Sequence, residues 1–300
     1  MNLQSEARSH ANMMKSAGSA VAKCVSATQM SAMRILSTAA LYLLLAAAFQ
    51  TSASATASDW VEVEGGRVRL VTAGAPDAGG TLQGVLEIDL HPGWKTYWRD
   101  PGYAGVPPQI DVSRSINVTA AEMRFPAPER FDDGFSKWAG YKHPVAFPVT
   151  FTLKTPGEPT QIEADVFLGI CETICIPVKG TFALDPANDP DNADHQALVT
   201  AAVETLPGAA RPDFGVTVRR ADNKQLTVEA ALPGDAAPAE FFVAGEQGYI
   251  FGTPERAEKD GRTVFTVPIV ERPDTKPAEG ALHYTLSTAT GAVEGTLPYP

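Results

Sequence analysis

Two of the three cysteines in this 300-residue chain, Cys171 and Cys175, lie four positions apart in the segment Asp165-Val166-Phe167-Leu168-Gly169-Ile170-Cys171-Glu172-Thr173-Ile174-Cys175-Ile176-Pro177-Val178. A paired thiol can form a structural disulfide, exchange electrons with another thiol pair, or bind a soft metal such as Cu(I). The runs 161–170 and 176–184 both read as strands. If the cysteines close the hairpin between them, only Glu172, Thr173 and Ile174 form the connection, a common hairpin length. Facing residues of an antiparallel pair have Cα atoms about 4.5 to 5.5 Å apart, inside the range of about 4.4 to 6.8 Å that a disulfide spans. The connection lacks the glycine usual in the left-handed position of such turns, which leaves a wider turn open as well.

Three chemistries stay open at the level of the residues. As a staple the bond would close only five residues, and loop-entropy stabilisation grows with loop length. As an exchanging pair it has no obvious thiolate stabiliser in sequence: Glu172 and Asp165 are acidic, Lys179 is the nearest cation, and no helix starts here. Reactivity would then come from docking on a partner. As a Cu(I) site, Cys171 and Cys175 would need help, and His91 and His143 have no ligand-like spacing to them.

The elements that must hold this pair are read as strands. Leu82, Gly84, Leu86, Ile88 and Leu90 alternate with Gln83, Val85, Glu87 and Asp89, and the run stops at Pro92-Gly93. Val145, Phe147, Val149, Phe151 and Leu153 repeat the pattern, with Pro148 predicting an edge strand or a bulge. Ile162 to Leu168 and Val178 to Leu184 alternate too. Pro76 to Gly80, Asp100-Pro101-Gly102 and Pro156 to Pro159 supply turns. Many short strands so spaced predict a sandwich or barrel, not a βαβ fold. Ala193 to Leu206 predicts a helix capped by Asp191 or Asn192 and ended by Pro207-Gly208. Strands resume after Pro212, as in Leu226, Val228, Ala230 and Leu232, then Leu282, Tyr284 and Leu286.

At the amino terminus, Arg34 precedes an apolar run from Ile35 to Phe49. Ala53-x-Ala55 and Ala55-x-Ala57 follow as small-residue cleavage patterns, so a secretory leader over residues 1–57 is expected. Cys24 would leave with it. The chain carries a formal net charge of −11. Arg8, Lys15, Lys23 and Arg34 against Glu6 make the leader basic, so the remainder is more acidic still, which argues against nucleic-acid binding. The expected product is soluble after leader removal. Its organisation is all-β: a sandwich over 58–185, a helical linker over 186–212, and a second strand-rich, sandwich-like module over 213–300.

Five motifs, in order, carry a resemblance. They are Gly93-Trp94-Lys95-Thr96-Tyr97-Trp98-Arg99-Asp100-Pro101-Gly102, Phe125-Pro126-Ala127-Pro128, Gly140-Tyr141-Lys142, Phe147-Pro148-Val149, and Gly169-x-Cys171-x-x-x-Cys175-x-Pro177. Together they resemble the amino-terminal periplasmic domain of the DsbD-type thiol:disulfide interchange proteins, in the branch related to the copper-sensitivity suppressor protein ScsB, over about residues 58–185. The resemblance implies an immunoglobulin-like sandwich whose cysteine pair receives electrons from a membrane domain and passes them to periplasmic oxidoreductases. It implies Cys171 and Cys175 as the redox pair, with Cys175 forming the mixed disulfide.

Phe131 to Tyr141 resembles the family's cap loop, with Trp138 as the shielding aromatic and Tyr141 beside it. Trp94 and Tyr97 resemble the aromatics that border the pair. The implied activity is that of a thiol-disulfide oxidoreductase of the protein-disulfide reductase type, without an organic cofactor. Its implied partners are a membrane-embedded thiol reductase (DsbD-, ScsB- or CcdA-like) and periplasmic thiol-disulfide proteins. With no transmembrane bundle or thioredoxin-like module of its own, the chain is expected to rely on a separate membrane reductase. Two alternatives stand beside this: an interaction module with a structural disulfide, and a periplasmic Cu(I)-binding protein.

Overall fold

Alternating apolar residues draw the chain into antiparallel sheets, as they must when only one face of each strand can be buried. The computed structural model describes residues 56–102, 105–132, 134, 137–234, 238–245 and 248–300. The expected leader and Cys24 therefore lie outside the described residues, apart from Thr56 and Ala57. The first strands are β1 (Val61–Val63), β2 (Gly66–Ala73), β3 (Thr81–Leu90), β4 (Thr96–Tyr97), β5 (Gln109–Asp111), β6 (Val118–Met123), β7 (Glu129–Asp132), β8 (Lys137–Tyr141), β9 (Val145–Leu153), β10 (Ile162–Cys171) and β11 (Cys175–Leu184). Helix α1 (Ala193–Glu204) follows. Then come β12 (Gly208–Ala209), β13 (Gly215–Ala221), β14 (Gln225–Ala231), β15 (Ala239–Val243), β16 (Ile250–Phe251), β17 (Glu255–Lys259), β18 (Arg262–Glu271), β19 (Leu282–Thr288) and β20 (Gly291–Leu297).

The chain is all-β: an immunoglobulin-like sandwich, a single described helix, and a second strand-rich module. One sheet of the sandwich runs β1-β2-β3-β9-β6 and the other β11-β10-β5. Leu70, Leu86 and Phe147 from the first meet Leu168, Ile170 and Phe182 from the second, all essentially solvent-free. Each such side chain contributes about 1.5 to 3 kcal/mol through its removal from water. A small sheet, β4-β8-β7, closes one end.

Pro148 behaves differently from expectation. Strand β9 is interior, between β3 and β6, and the register shift against β6 lies at Val118/Ala120, away from the proline. The Pro148 carbonyl accepts from Arg124 N–H just past the end of β6. Its nitrogen faces that same side, so the missing donor falls where the ladder stops and costs nothing to the β3–β9 pairing.

The expected linker helix is capped by Asn192, whose side chain accepts from His195 N–H, and stops at Thr205, just short of Leu206. It does more than link. Val199 and Ala202 cover Val71 and Val85, the apolar residues on the outer face of the first sheet. Thr56 and Ala57, assigned to the leader by sequence, join that sheet: Thr72 N–H donates to Thr56 O, and Ala57 bridges Val71. The Thr56 hydroxyl also meets His195 Nδ1 at 2.8 Å. Among the described residues no helix is long and apolar enough to cross a membrane.

The second module stacks the sheets β12-β20-β19-β15 and β13-β14-β18-β16, with β17 on β18. Phe241, Phe265, Tyr284 and Leu286 lie in its core. Strand β15 serves both cores. Phe241 and Val243 point into the second, whereas Phe242 and the following Ala244 point into the first, as the two-residue period of a strand dictates. The described residues accordingly cluster as one compact unit. Three polar contacts reinforce this junction: Arg124 pairs with Glu294, Arg130 Nη2 donates to Phe241 O at 3.0 Å, and Gly245 N–H donates to Asp100 Oδ2.

Burial raises the Asp100 carboxyl above its ordinary 3.8, against the lowering effect of the Gly245 and Gly102 N–H groups and the Arg130 charge. Between 3.8 and the raised folded value the folded state therefore holds this proton while the unfolded chain has released it. The stability Asp100 contributes is full below 3.8 and is lost as pH rises through the folded value. In urea titrations at stepped pH, wild type should lose stability relative to Asp100→Asn as pH climbs out of that window. A pH-independent difference between the two proteins would contradict this.

Candidate functional site

Strands β10 and β11 pair without a break from Ile162↔Leu184 to Cys171↔Cys175. The turn is therefore the short one, Glu172-Thr173-Ile174, with Glu172 N–H donating to Ile174 O. Cys171 and Cys175 form a disulfide with Cα atoms 4.1 Å apart, slightly closer than the sequence geometry predicts. The backbone explains the close approach. Cys171 N–H and C=O both bond to Lys95, each at 2.9 Å, on the side away from β11. The cysteines thus form a non-hydrogen-bonded pair, the closer of the two antiparallel kinds. The alternation makes Gly169↔Pro177 a pair of the same kind, so the nitrogen of Pro177 faces the outer edge of β11.

The two sulfur-bearing residues differ in environment. Cys171 is 1% exposed, whereas Cys175 is open to solvent. Cys171 packs in a small cluster with Tyr97, Trp138 and Phe131. Tyr97 and Trp138 meet edge to face with centroids 5.8 Å apart, and Phe131 stacks on Trp138 at 4.2 Å. The Lys95 ammonium sits 4.5 Å from the Trp138 ring centre, and that of Lys142 4.0 Å from Phe131. Tyr97 Oη lies 3.3 Å from Cys175 Sγ. Trp138 Nε1 is buried with no hydrogen-bond partner among the described residues.

Two structural units aim these side chains. Strand β4 is anchored to β10 by the Lys95–Cys171 bridge and by Thr96 Oγ1 donating to Gly169 O at 2.9 Å. The β7–β8 hairpin places Phe131 directly opposite Trp138, so both rings fall on one face. Strand β8 lies so close to β4 that only glycine fits at 140. A Cβ there would sit 2.2 Å from Thr96 O and 2.9 Å from Tyr97 Cα.

Of the aromatics singled out in the sequence, Tyr97 and Trp138 are brought to the disulfide. Trp94 and Tyr141 are placed elsewhere. The Trp94 ring lies over Gly65, 2.2 Å from where a Cβ would stand. Tyr141 belongs to the large sandwich core, and its hydroxyl donates to Pro126 O at 2.8 Å. Burial pushes that phenol well above its ordinary value, so it stays neutral. Phe131 and Lys95 were not singled out, although each lies inside a motif quoted above. Asp133, Phe135 and Ser136, between β7 and β8, lie outside the described residues. Among the described residues no group of three or more His, Cys, Asp and Glu could hold a metal ion.

Of the two residues, Cys175 is the exposed one and Cys171 the buried one, so a partner thiolate would approach from the Cys175 side. Attack at Cys175 would expel Cys171 as a thiolate into an apolar, desolvated cluster, an environment that disfavours the anion. Such a leaving group recloses readily unless it is protonated or the reaction is drawn onward. The Tyr97 hydroxyl is placed to donate a hydrogen bond to sulfur at Cys175 once that residue is reduced.

Residues 68–186 match the family model described as "Thiol:disulfide interchange protein DsbD, N-terminal". The resemblance read from the motifs therefore holds over that stretch. The crystal structure of the N-terminal periplasmic domain of ScsB from Proteus mirabilis is similar to this chain with a TM-score of 0.66 at 24% identity, covering 82% of this chain and 99% of that one. No curated protein matches the chain.

The tight β4–β8 contact generates a test. Gly140→Ala should cost about 1 to 3 kcal/mol in urea unfolding, as overpacking does. It should also shift Tyr97 and speed reduction of the disulfide by dithiothreitol. Unchanged stability together with an unchanged reduction rate would show that β4 and β8 are not held as described.

Proposed function

We propose, on the premise that residues 68–186 carry the DsbD amino-terminal domain, that this chain is a periplasmic carrier of reducing equivalents. It takes electrons from a membrane-embedded thiol reductase and delivers them to soluble periplasmic clients through Cys171 and Cys175. The observation that carries the reading is the asymmetry of the bond: Cys175 is exposed, whereas Cys171 is enclosed by Tyr97, Trp138 and Phe131. A pure staple gains nothing from such an arrangement, because its stabilisation comes from chain closure and not from access.

The cycle balances as follows. A reductase thiolate attacks Cys175 Sγ, the Cys171–Cys175 bond breaks, and a mixed disulfide forms while the Cys171 sulfur takes up a proton. The reductase's second thiolate then attacks its own sulfur in that mixed bond, releasing Cys175. The reductase is oxidised to a disulfide and this chain gains two electrons, with one proton on Cys171 and Cys175 left as the thiolate that attacks next; when the cycle closes, the Cys171 proton passes to a departing client thiolate. On the client side, the Cys175 thiolate attacks the client disulfide and expels a client thiolate. Cys171 then closes on Cys175 and releases the second. Cys175 is thus the entry and exit sulfur, and Cys171 the resolving one.

A redox titration against glutathione or dithiothreitol tests this directly. Structural disulfides lie below about −300 mV, and relay couples above that. A midpoint in the relay range is expected. In parallel, Cys171→Ser leaves Cys175 free and unable to be resolved, so it should accumulate mixed disulfides with exported thiol-disulfide proteins in oxidising growth. Cys175→Ser, with only the buried sulfur, should trap far fewer. A midpoint in the structural range, with no adducts on either variant, would reduce the pair to a clasp.

A further inference from the structure

Both units that shelter the disulfide have a second side, and that side faces the thiol-free second module. On the β7–β8 hairpin, Phe131 and Trp138 face Cys171, while the adjacent cross-strand pair Arg130↔Ala139 necessarily faces the opposite way. Arg130 crosses to strand β15, donating to Phe241 O at 3.0 Å with its guanidinium 4.6 Å from the Phe242 ring centre. The β4 segment repeats the arrangement. Tyr97 touches the Cys175 sulfur and Trp138. Its neighbour Trp98 meets Phe242 with centroids 5.9 Å apart, and Asp100 accepts from Gly245 N–H. A cavity of about 80 Å³, lined by Trp98, Asp100, Arg130, Ala139 and Phe242, lies between these contacts.

The hairpin is otherwise lightly held. Among the described residues its one sheet partner is the two-residue strand β4, Gly134 is exposed, and the buried Trp138 Nε1 has no acceptor. A buried donor without a partner favours any state that returns it to water. Strand β8 is further tied to the β4 segment through Trp98 N–H to Ala139 O and Ala139 N–H to Pro101 O; on β7 the side-chain contacts are the Phe131 stacking on the inner face and the Arg130 clamp on the outer face.

We propose that the second module governs how fast the Cys171–Cys175 bond exchanges, by clamping the β7–β8 hairpin over it through Arg130 as a positioning residue. The proposal rests on the exchange reading above and assigns the second module its part in it. Partner binding that loosens the Arg130 contacts would free the hairpin; with the contacts intact, the rings stay over the bond.

The experiment measures the second-order rate of disulfide reduction by dithiothreitol in the full chain. Dithiothreitol closes to its cyclic disulfide as the protein gains two thiols. Arg130→Met keeps the apolar stem on Phe242 but removes the donor. Losing a hydrogen bond from a charged group shifts an opening equilibrium by about tenfold or more, and the rate should rise accordingly. Arg130→Lys keeps the charge without the planar fork, is the safer variant for folding, and should fall between wild type and Met. Phe131→Ala removes the inner-face ring and should also accelerate reduction.

The double variant Arg130→Met/Phe131→Ala separates a clamp from general loosening: if Arg130 acts through the hairpin, the two effects are not additive. An unaltered rate in folded Arg130→Met or Arg130→Lys, or fully additive effects in the double variant, would overturn the proposal. Acceleration by Phe131→Ala alone would leave the exchange reading standing and remove only the clamp. A bond that dithiothreitol reduces in none of these proteins, wild type included, would instead remove the exchange reading itself.

Discussion

Everything at the site depends on the register of one antiparallel pair. Because Cys171 spends both backbone hydrogen-bonding groups on Lys95, it faces Cys175 across a non-hydrogen-bonded position, where side chains come closest. A slip of one residue would turn every side chain of the strand to the other face. The core residues Leu168 and Ile170 of β10 would then lose their burial together with the sulfur geometry. The large hydrophobic core thus fixes the alignment of two sulfurs at its edge. It does so at no separate cost, since the same alternation that buries Ile162, Ala164 and Val166 also delivers Cys171 to the hairpin end.

Much of this was legible in the sequence, because a strand period of two is a local property. The runs ending at Cys171 and beginning at Cys175 require a short turn once both are strands. The motif around Trp94 and Tyr97 marks a segment that reaches the site. Individual aromatics were less legible. Trp94, Tyr97, Trp138 and Tyr141 look alike as residue types, yet two lie by the disulfide and two pack elsewhere. What separates them is the pairing of β4 with β8 and the face each residue takes, which depends on strand boundaries too short to read from periodicity.

Arg130 and Phe242 carried no signal at all, and Asp100 was legible only as a turn residue inside a motif. Arg130 and Phe241 are far apart in the chain, and a single arginine in a polar segment reads as solvated surface. Pro148 was misjudged for a related reason: a proline in a strand pattern signals a missing donor, but not which neighbour would have needed it.

The junction between the two cores changes how the second module is to be viewed. Strand β15 gives alternate side chains to two hydrophobic interiors, so neither interior is complete without it. Charged and polar contacts at the same boundary, from Arg124, Arg130 and Asp100, add direction to that packing. Partly buried groups of this kind are sensitive to being separated, because each leaves its partner desolvated without compensation.

Pro177 has a last consequence. Strand β11 forms the open margin of its sheet, and such margins recruit other strands, including those of identical molecules. With the proline nitrogen turned outward two residues past Cys175, that margin lacks one of the backbone donors that a pairing strand would use there. Edge-to-edge pairing of two copies beside their exposed cysteines is thereby made less favourable.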